Sequence, residues 1–232
     1  MNEIWADLAI DRKLDYAETR HQDDYWPDMF PDRPPDWALE DRRISAGVAE
    51  WLSIRWLSIY MQFEGWMLPL FHPDSHALIG WQEKDRAKGG QAITKPGTPR
   101  SKTLFGIDVF ADDDNSTAIL VESPLDVAVL ATAGFPGGLA TLGTGVSHWQ
   151  LRILADVSSV IVLALDNDDA GRKARDKIVR SPELAGKTLL DFNYSVASRA
   201  KDPGDLDSDQ IHRALRTARK VPNSAKNWSV TR

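Results

Sequence analysis

Two short apolar segments, residues 118–121 and 160–165, dominate the pattern of hydrophobic positions along the chain. Neither segment alternates apolar with polar residues, and both contain β-branched and aliphatic side chains. Strands with this pattern are buried on both faces, which is typical of a parallel sheet. Each segment is followed by an acidic residue, Glu122 after the first and Asp166 after the second. The pattern predicts an α/β fold with a central, mainly parallel sheet flanked by helices.

Helix signals follow the apolar segments. Ser123 and Pro124 occupy positions suited to an N-cap and a first helical turn, and Gly134 is suited to closing that helix. Ser147 and Gln150 have the spacing of a capping box, which predicts a second helix. Further helices are predicted at residues 37–43, 45–56, 172–180 and 211–220. Further strands are predicted as a hairpin within residues 67–80, as a short strand within residues 137–145, and at residues 187–194.

Four acidic residues are expected at one edge of the predicted sheet. In open parallel sheets the functional site lies at the carboxyl ends of the strands, where Glu122 and Asp166 would both lie. Asp126 and Asp168 follow these two residues closely in the sequence. Carboxylates gathered in this way repel one another unless they share a cation, and Mg²⁺ prefers hard oxygen ligands. The sequence therefore predicts a site for a divalent cation.

Composition narrows the class of protein. The 232 residues suffice for one domain or two closely joined subdomains. The net charge of −6 does not favour nucleic acid as a partner, so local clusters of basic residues become decisive. The chain has no cysteine, which excludes disulfides, thiolate zinc sites and cysteine nucleophiles. No apolar run reaches the length of a membrane span, so we expect a soluble, cytoplasmic protein without a membrane partner.

The acidic motifs resemble those of a known fold. Glu122 and Asp126 form a Glu-x-x-x-Asp motif, and residues 166–171 read Asp-x-Asp-x-Ala-Gly. Both resemble a Toprim domain, the metal-binding fold shared by bacterial-type primases, type IA and II topoisomerases and some nucleases. Residues 39–215 are similar, more specifically, to the catalytic core of a bacterial-type DNA primase. Segments that follow the order of that family lie at residues 43–45, 67–71, 77–81, 102–107, 139–144 and 201–205.

The resemblance implies a division into domains. The family usually has a cysteine-rich zinc module before the core and a helicase-binding domain after it, and we expect neither here. The minimal form resembles primase cores encoded by phages, for which the location would be the host cytoplasm. The expected units are an N-terminal arm at residues 1–36, an α+β subdomain with a basic loop at 37–115, a Toprim domain at 116–200, and a C-terminal acidic turn, helix and tail at 201–232.

The activity implied by the resemblance is synthesis of short RNA primers on single-stranded DNA by metal-dependent nucleotidyl transfer. Catalytic roles are implied for Glu122, Asp166 and Asp168, although Glu122 as metal ligand and Glu122 as general base both remain open. Asp126 has a secondary place, because stabilisation of its helix and contact with the metal are both open for it. The expected ligands of Mg²⁺ or Mn²⁺ are Glu122, Asp166, Asp168, Asp202 and Asp205.

Basic residues between positions 84 and 102 are expected to hold phosphate. This loop contains six cations and is interrupted by glycine and proline, and such loops beside a metal site suit phosphate groups. Lys88, Arg100 and Lys102 are expected to bind the triphosphate or the template. Gly143 would let a nucleotide approach the backbone closely.

Two other functions remain open. A Toprim nuclease would use the same carboxylates to cleave phosphodiester bonds, and a replisome subunit would bind nucleic acid without catalysis. A topoisomerase also needs a tyrosine nucleophile, for which no tyrosine has a matching sequence context. For the primase interpretation the expected partners are a single-stranded DNA template, ribonucleoside triphosphates, a separate zinc-binding subunit and a replicative helicase.

Overall fold

A computed structural model describes residues 33–59, 63–87, 90–110, 117–143 and 145–222. Most of the predicted N-terminal arm, the end of the tail and Lys88 therefore lie outside the described residues. The described chain forms two sheets, one with four strands and one with five. The fold class predicted from the sequence is confirmed.

The first sheet is antiparallel, with its strands in the order β1-β2-β3-β4. The predicted hairpin within residues 67–80 is confirmed as the part of β2 and β3 nearest their shared turn. The short β4 lies inside the segment that the sequence predicts as a basic loop. The strands are β1 (Arg55–Ile59), β2 (Phe63–Phe71), β3 (Leu78–Asp85) and β4 (Ala92–Thr94).

The second sheet has the order β6-β5-β7-β8-β9. Its first four strands are parallel to their neighbours, and β9 runs antiparallel to β8 at the edge. The central pair, β5 and β7, corresponds to the two apolar segments of the sequence. The strands are β5 (Thr117–Val121), β6 (Gly138–Ala140), β7 (Val160–Leu163), β8 (Thr188–Asp191) and β9 (Arg219–Val221).

Helices connect the parallel strands in sequence, since α3, α4 and α5 each join one strand to the next. The capping box predicted for α4 is present, with Ser147 and Gln150 as its two members. Within the part of the chain that the structure describes, no helix has both the length and the hydrophobicity needed to cross a bilayer. The helices are α1 (Asp36–Arg42), α2 (Ala46–Trp51), α3 (Pro124–Thr132), α4 (His148–Val157), α5 (Asp169–Val179) and α6 (Ser208–Arg216).

Both faces of β5 are buried, as its unbroken apolar pattern predicts. Ile119 and Val121 lie in one core cluster, which also contains residues of α3 and α6. Ala118 and Leu120 lie in a second cluster, which contains residues of α4 and α5. Because successive side chains of a strand point to opposite faces, a strand covered on both sides needs apolar residues throughout.

Tryptophans join the antiparallel sheet to the parallel one. Trp56 and Trp66 are buried in the same core cluster as the apolar face of α3. Their rings meet edge to face with centroids 5.2 Å apart, and Trp37 meets Trp56 in the same manner at 5.5 Å. Such pairs add a small stabilisation beyond the area that they bury. The two sheets therefore share one hydrophobic core.

Four local predictions were wrong. The helix predicted at residues 45–56 ends at Trp51, because the residues that follow it pair with β2. The helix predicted at residues 211–220 ends at Arg216, and β9 then pairs with β8. Both errors arise from pairing between distant segments, which local patterns do not record. The helix predicted from residue 172 begins three residues earlier, and Ser123 does not cap α3 through its side chain.

Candidate active site

The acidic residues converge because β5 and β7 are parallel neighbours. Glu122 follows the last residue of β5, and Asp166 lies three residues after the end of β7. The backbone amide of Asp166 donates a hydrogen bond to Glu122 Oε1 at 3.3 Å. The carboxyl ends of the two strands therefore form one acidic site, as the sequence predicts.

Three carboxylates form the centre of this site. Oxygen atoms of Asp126, Asp166 and Asp202 all lie within 4.8 Å of one another. Asp126 lies in the first turn of α3, and Asp202 precedes a single 3₁₀ turn, Pro203–Asp205. We call this set the aspartate triad. The sequence placed Asp126 in a secondary role, whereas the structure brings its carboxylate into the triad.

Asp126 carries the strongest indication of a missing partner. The residue is 5% exposed, and its Oδ2 atom has no hydrogen-bond partner among the described residues. An unpartnered buried carboxylate oxygen costs free energy, so native proteins usually satisfy such atoms. A hard divalent cation bound by carboxylates would satisfy this oxygen together with those of Asp166 and Asp202. The residues present therefore fit a Mg²⁺-type ion.

The pKa values of the buried carboxyl groups agree with this interpretation. Burial raises the pKa of Asp126 well above its usual value, and the neighbouring Asp202 raises it further. Burial, followed by repulsion from Asp166, raises the pKa of Glu122 to about 7. Both carboxyl groups therefore hold their protons more tightly than exposed carboxyl groups do.

Glycine keeps the centre of the triad open. A Cβ atom at position 204 would lie 2.9 Å from Asp126 Oδ1 and 3.1 Å from Asp202 Oδ1. A second glycine, Gly171, lets α5 approach the loop after β7, because a Cβ there would lie 1.9 Å from the carbonyl oxygen of Asp166. Both positions therefore require glycine because a side chain would not fit. Neither glycine has the left-handed backbone conformation that also favours glycine.

Asp168 and Lys201 form the open side of the site. Asp168 caps α5, since its Oδ1 accepts hydrogen bonds from the amides of Ala170 and Gly171, each at 3.0 Å. These bonds, led by that of Gly171, lower the pKa of Asp168. Lys201 Nζ lies 3.0 Å from Asp166 Oδ2 and 3.5 Å from Asp168 Oδ2. A protein cation thus bridges two of the predicted catalytic carboxylates.

Asp205 lies in the same acidic turn but outside the triad. Its Oδ2 accepts a hydrogen bond from the backbone amide of Lys201 at 2.8 Å. This bond closes the turn that carries Asp202, so the contact supports the shape of the turn. A role for Asp205 as a metal ligand stays a prediction.

The antiparallel sheet and α1 bring cations to the opposite wall. Lys84 of β3 donates from Nζ to Ser123 Oγ at 3.0 Å. Burial lowers the pKa of Lys84, while the attraction of Asp126 opposes that change. The C-cap of α1, Arg43, donates to the carbonyl oxygen of Gly204 at 2.5 Å.

A cleft of about 260 Å³ lies between these walls. It is lined by the acidic residues Glu122, Asp126, Asp166 and Asp202 and by the basic residues Arg42, Arg43, Lys84 and Lys201. The sequence counted Lys84 among the basic loop residues without assigning it to the site, and it gave Lys201 and Arg43 no role. Both residues lie in segments that follow the order of the primase family, and Lys201 also stands next to Asp202 in the chain.

The predicted nucleotide-binding residues lie at a neighbouring cavity of about 330 Å³. Arg100 and Gly143 line this cavity, and Lys102 follows in the same 3₁₀ turn, Arg100–Lys102. Gly143 lines both the cavity and the acidic cleft, so the two spaces adjoin. Lys88 lies outside the described residues, and its role stays a prediction.

Comparison with known proteins agrees with this geometry. The Toprim-like family model matches residues 119–207, which include every residue of the aspartate triad. The DNA primase of Synechococcus elongatus is 37% identical over 118 residues, which is 48% of this chain and 16% of that protein. Residues 119–207 are thus similar to Toprim-like domains, and about half of the chain is similar to a bacterial DNA primase.

Solved structures show the same primase fold. The DnaG primase catalytic domain bound to single-stranded DNA matches with a TM-score of 0.64 and 19% identity, over 79% of this chain and 71% of that chain. The primase fragment of the bacteriophage T7 primase-helicase protein matches with a TM-score of 0.62 and 16% identity, over 84% and 82% of the two chains. The matches to curated primases cover between 16% and 27% of those longer proteins.

Proposed function

We propose that this chain is the catalytic core of a DNA primase, which joins ribonucleotides into short RNA primers on single-stranded DNA. The observation that carries the proposal is the aspartate triad with its unpartnered Asp126 oxygen, placed at the sheet edge of a primase-type Toprim core. The names of the relatives support the same activity.

The cation that we propose for the triad is Mg²⁺ or Mn²⁺, held by Asp126, Asp166 and Asp202 with Glu122 beside them. When bound, it would neutralise phosphate charge and favour in-line attack of a primer 3′ hydroxyl on the α-phosphorus of a nucleotide. Glu122 is suited to accept a proton, since its pKa of about 7 lies near the working range of a general base. Its role as a metal ligand remains the alternative within this proposal.

The cations of the cleft would orient the triphosphate. Lys84 and Arg43 approach from the antiparallel sheet and α1, while Lys201 approaches from the acidic turn. Charge from two sides suits a polyanion that carries its own metal ion. Arg100 and Lys102, with Lys88, would hold phosphates of the template strand near Gly143.

We also propose single-stranded DNA and ribonucleoside triphosphates as ligands, with a zinc-binding subunit and a replicative helicase as protein partners. The support comes from solved neighbours whose names include zinc-binding domains and a helicase. A cytoplasmic location, or the host cytoplasm for a phage protein, follows from this role.

Primer synthesis can be measured directly. The protein is incubated with single-stranded DNA, labelled ribonucleotides and Mg²⁺ or Mn²⁺, and short RNA is resolved on a gel. We expect RNA from the wild type and none from Asp126→Asn or Asp166→Asn. Asp169→Asn is the matched control, because Asp169 is an exposed acid beside the site that pairs with Arg172.

Two outcomes would contradict the proposal. Shortened DNA in the absence of nucleotides would indicate a nuclease that uses the same carboxylates. DNA binding without RNA synthesis, under both metals and with a primase zinc-binding subunit added, would indicate a non-catalytic subunit.

A further inference from the structure

Trp149 is an exposed aromatic residue that has no role in the proposed nucleotidyl transfer. It is 44% exposed, although most large apolar side chains among the described residues are buried. It lies in the first turn of α4 and so belongs to the Toprim part of the chain. An exposed tryptophan among polar neighbours often marks a binding surface.

Cations from two different elements surround this ring. Lys102 Nζ lies 5.9 Å from the ring centroid, and Arg152 Cζ lies 5.5 Å from it. The imidazole of His148 lies against the same ring, with centroids 4.8 Å apart. Proteins that bind single-stranded nucleic acid combine stacking aromatics with nearby cations in this way.

The position of Trp149 is fixed by hydrogen bonds on both sides of it in the sequence. Ser147 Oγ donates to the carbonyl oxygen of Ser101 at 2.5 Å. Gln150 Nε2 donates to the carbonyl oxygens of Arg100, Thr103 and Thr141, at 3.2, 3.0 and 3.0 Å respectively. These bonds hold the first turn of α4 to the turn that carries Lys102, so the ring and its cations are pre-organised.

The ring also lies beside the route into the acidic cleft. Gln150 and Arg100 line the second cavity, which shares Leu142 and Gly143 with the cleft. A strand that enters the cleft through this cavity would pass the first turn of α4. We propose that Trp149 stacks on a base of the single-stranded template while Lys102 and Arg152 contact its phosphates.

Single-stranded nucleic acid fits this surface better than duplex does. A base in a duplex has its faces covered by its neighbours, whereas a base in a single strand can leave the stack and pack on an aromatic ring. Arg152 and His148 interact electrostatically with the carboxylate of Glu183, which accepts a hydrogen bond from Ser181 Oγ. The negative charge of Glu183 partly offsets the positive charge of Arg152. Binding therefore needs base stacking as well as phosphate contacts.

The test measures binding without catalysis. Anisotropy of a labelled oligothymidylate is followed with EDTA present and no nucleotides, so the result does not depend on primer synthesis. We expect Trp149→Ala to raise the Kd about 5- to 100-fold. Trp149→Phe should stay within about threefold of the wild type, because a smaller ring still stacks. Trp37→Ala is the matched control, since Trp37 is also exposed, at 51%.

Salt dependence separates stacking from phosphate contact. Lys102→Ala and Arg152→Ala should each reduce the slope of log K against log salt by about 0.7, whereas Trp149→Ala should leave the slope unchanged. Thermal unfolding of each variant checks that it is folded.

The inference is overturned if wild type does not bind the oligonucleotide, if Trp149→Ala binds like wild type or no worse than Trp37→Ala, or if Trp149→Phe fails to restore binding. It rests on the proposed function for the identity of the strand, but the two can fail separately. Stacking without RNA synthesis would contradict the primase activity alone, and synthesis with an indifferent Trp149 would contradict this inference alone.

Discussion

The buried and open sides of the acidic site shift the pKa of a carboxyl group in opposite directions. Glu122 and Asp126 are at most 7% exposed, and burial raises the pKa of both carboxyl groups. The side chain of Asp168 is 41% exposed, and hydrogen bonds from α5 lower its pKa. On the buried side the attraction of Lys84 does not offset the effect of burial, whereas on the open side Lys201 and the hydrogen bonds from α5 stabilise the ionised carboxylate. The difference indicates that a bound cation contributes most on the buried side.

The largest expected effect is on metal affinity. Asp126→Asn should weaken Mn²⁺ binding on the order of 100-fold, because it removes a carboxylate whose Oδ2 has no hydrogen-bond partner in the described part of the chain. Asp168→Asn should weaken it less than about tenfold, since Asp168 lies outside the triad and caps α5. Isothermal titration calorimetry measures both. Equal losses of Mn²⁺ affinity in the two variants would show that the buried and open sides contribute equally to metal binding.

A smaller effect is expected on stability as a function of pH. The folded protein raises the pKa of Glu122 from 4.5 to about 7, so the folded state holds that proton more tightly than the unfolded state does. The associated stability is fully present below about pH 4.5 and is lost as the pH rises to about 7. With EDTA present, the free energy of unfolding should fall over this range by roughly 1–3 kcal/mol.

Urea unfolding at a series of pH values tests this dependence. Glu122→Gln should flatten the profile, and Asp169→Asn serves as an exposed acidic control. Saturating Mn²⁺ should reverse the trend, because metal ligands must be deprotonated. A metal-free profile that rises between pH 4.5 and 7 would mean that the buried side is not strained.

The smallest effect is expected from Lys201. Lys201→Met removes an ammonium group 3.0 Å from Asp166 Oδ2, which competes with a divalent cation for the same carboxylate. We expect Mn²⁺ affinity to rise about threefold and the metal-free free energy of unfolding to fall by less than about 1 kcal/mol, as for an exposed ion pair. Calorimetry and urea unfolding measure the two changes, and Lys173→Met, an exposed change on α5, provides the control. A weaker affinity for Mn²⁺ would show that Lys201 supports the metal site and does not compete with it.

Local patterns predicted the elements that depend on nearby residues. The apolar segments became β5 and β7, and the residues after them, Glu122 and Asp166, meet as the parallel topology requires. The capping box of α4 was also correct, since its signal spans only four residues. Fold class and site location therefore follow from local sequence and general rules of sheet topology.

Features that depend on distant pairing were not predicted. Lys84 reaches Ser123 across 39 residues, and this contact exists only because the antiparallel sheet packs beside α3. Asp126 was assigned a secondary role because its position in the first turn of a helix suits helix stabilisation equally well. The three-residue β9 is a strand because it pairs with β8. Its own sequence carries no strong strand signal.

Position 204 makes the aspartate triad sensitive to the smallest possible side chain. Alanine there would place a methyl group within 3.1 Å of carboxylate oxygens on both Asp126 and Asp202. Such a methyl group would crowd these carboxylates while leaving every acidic residue of the chain unchanged. The hydrogen of glycine, in place of a carbon, thus leaves the facing oxygens of these two aspartates uncrowded.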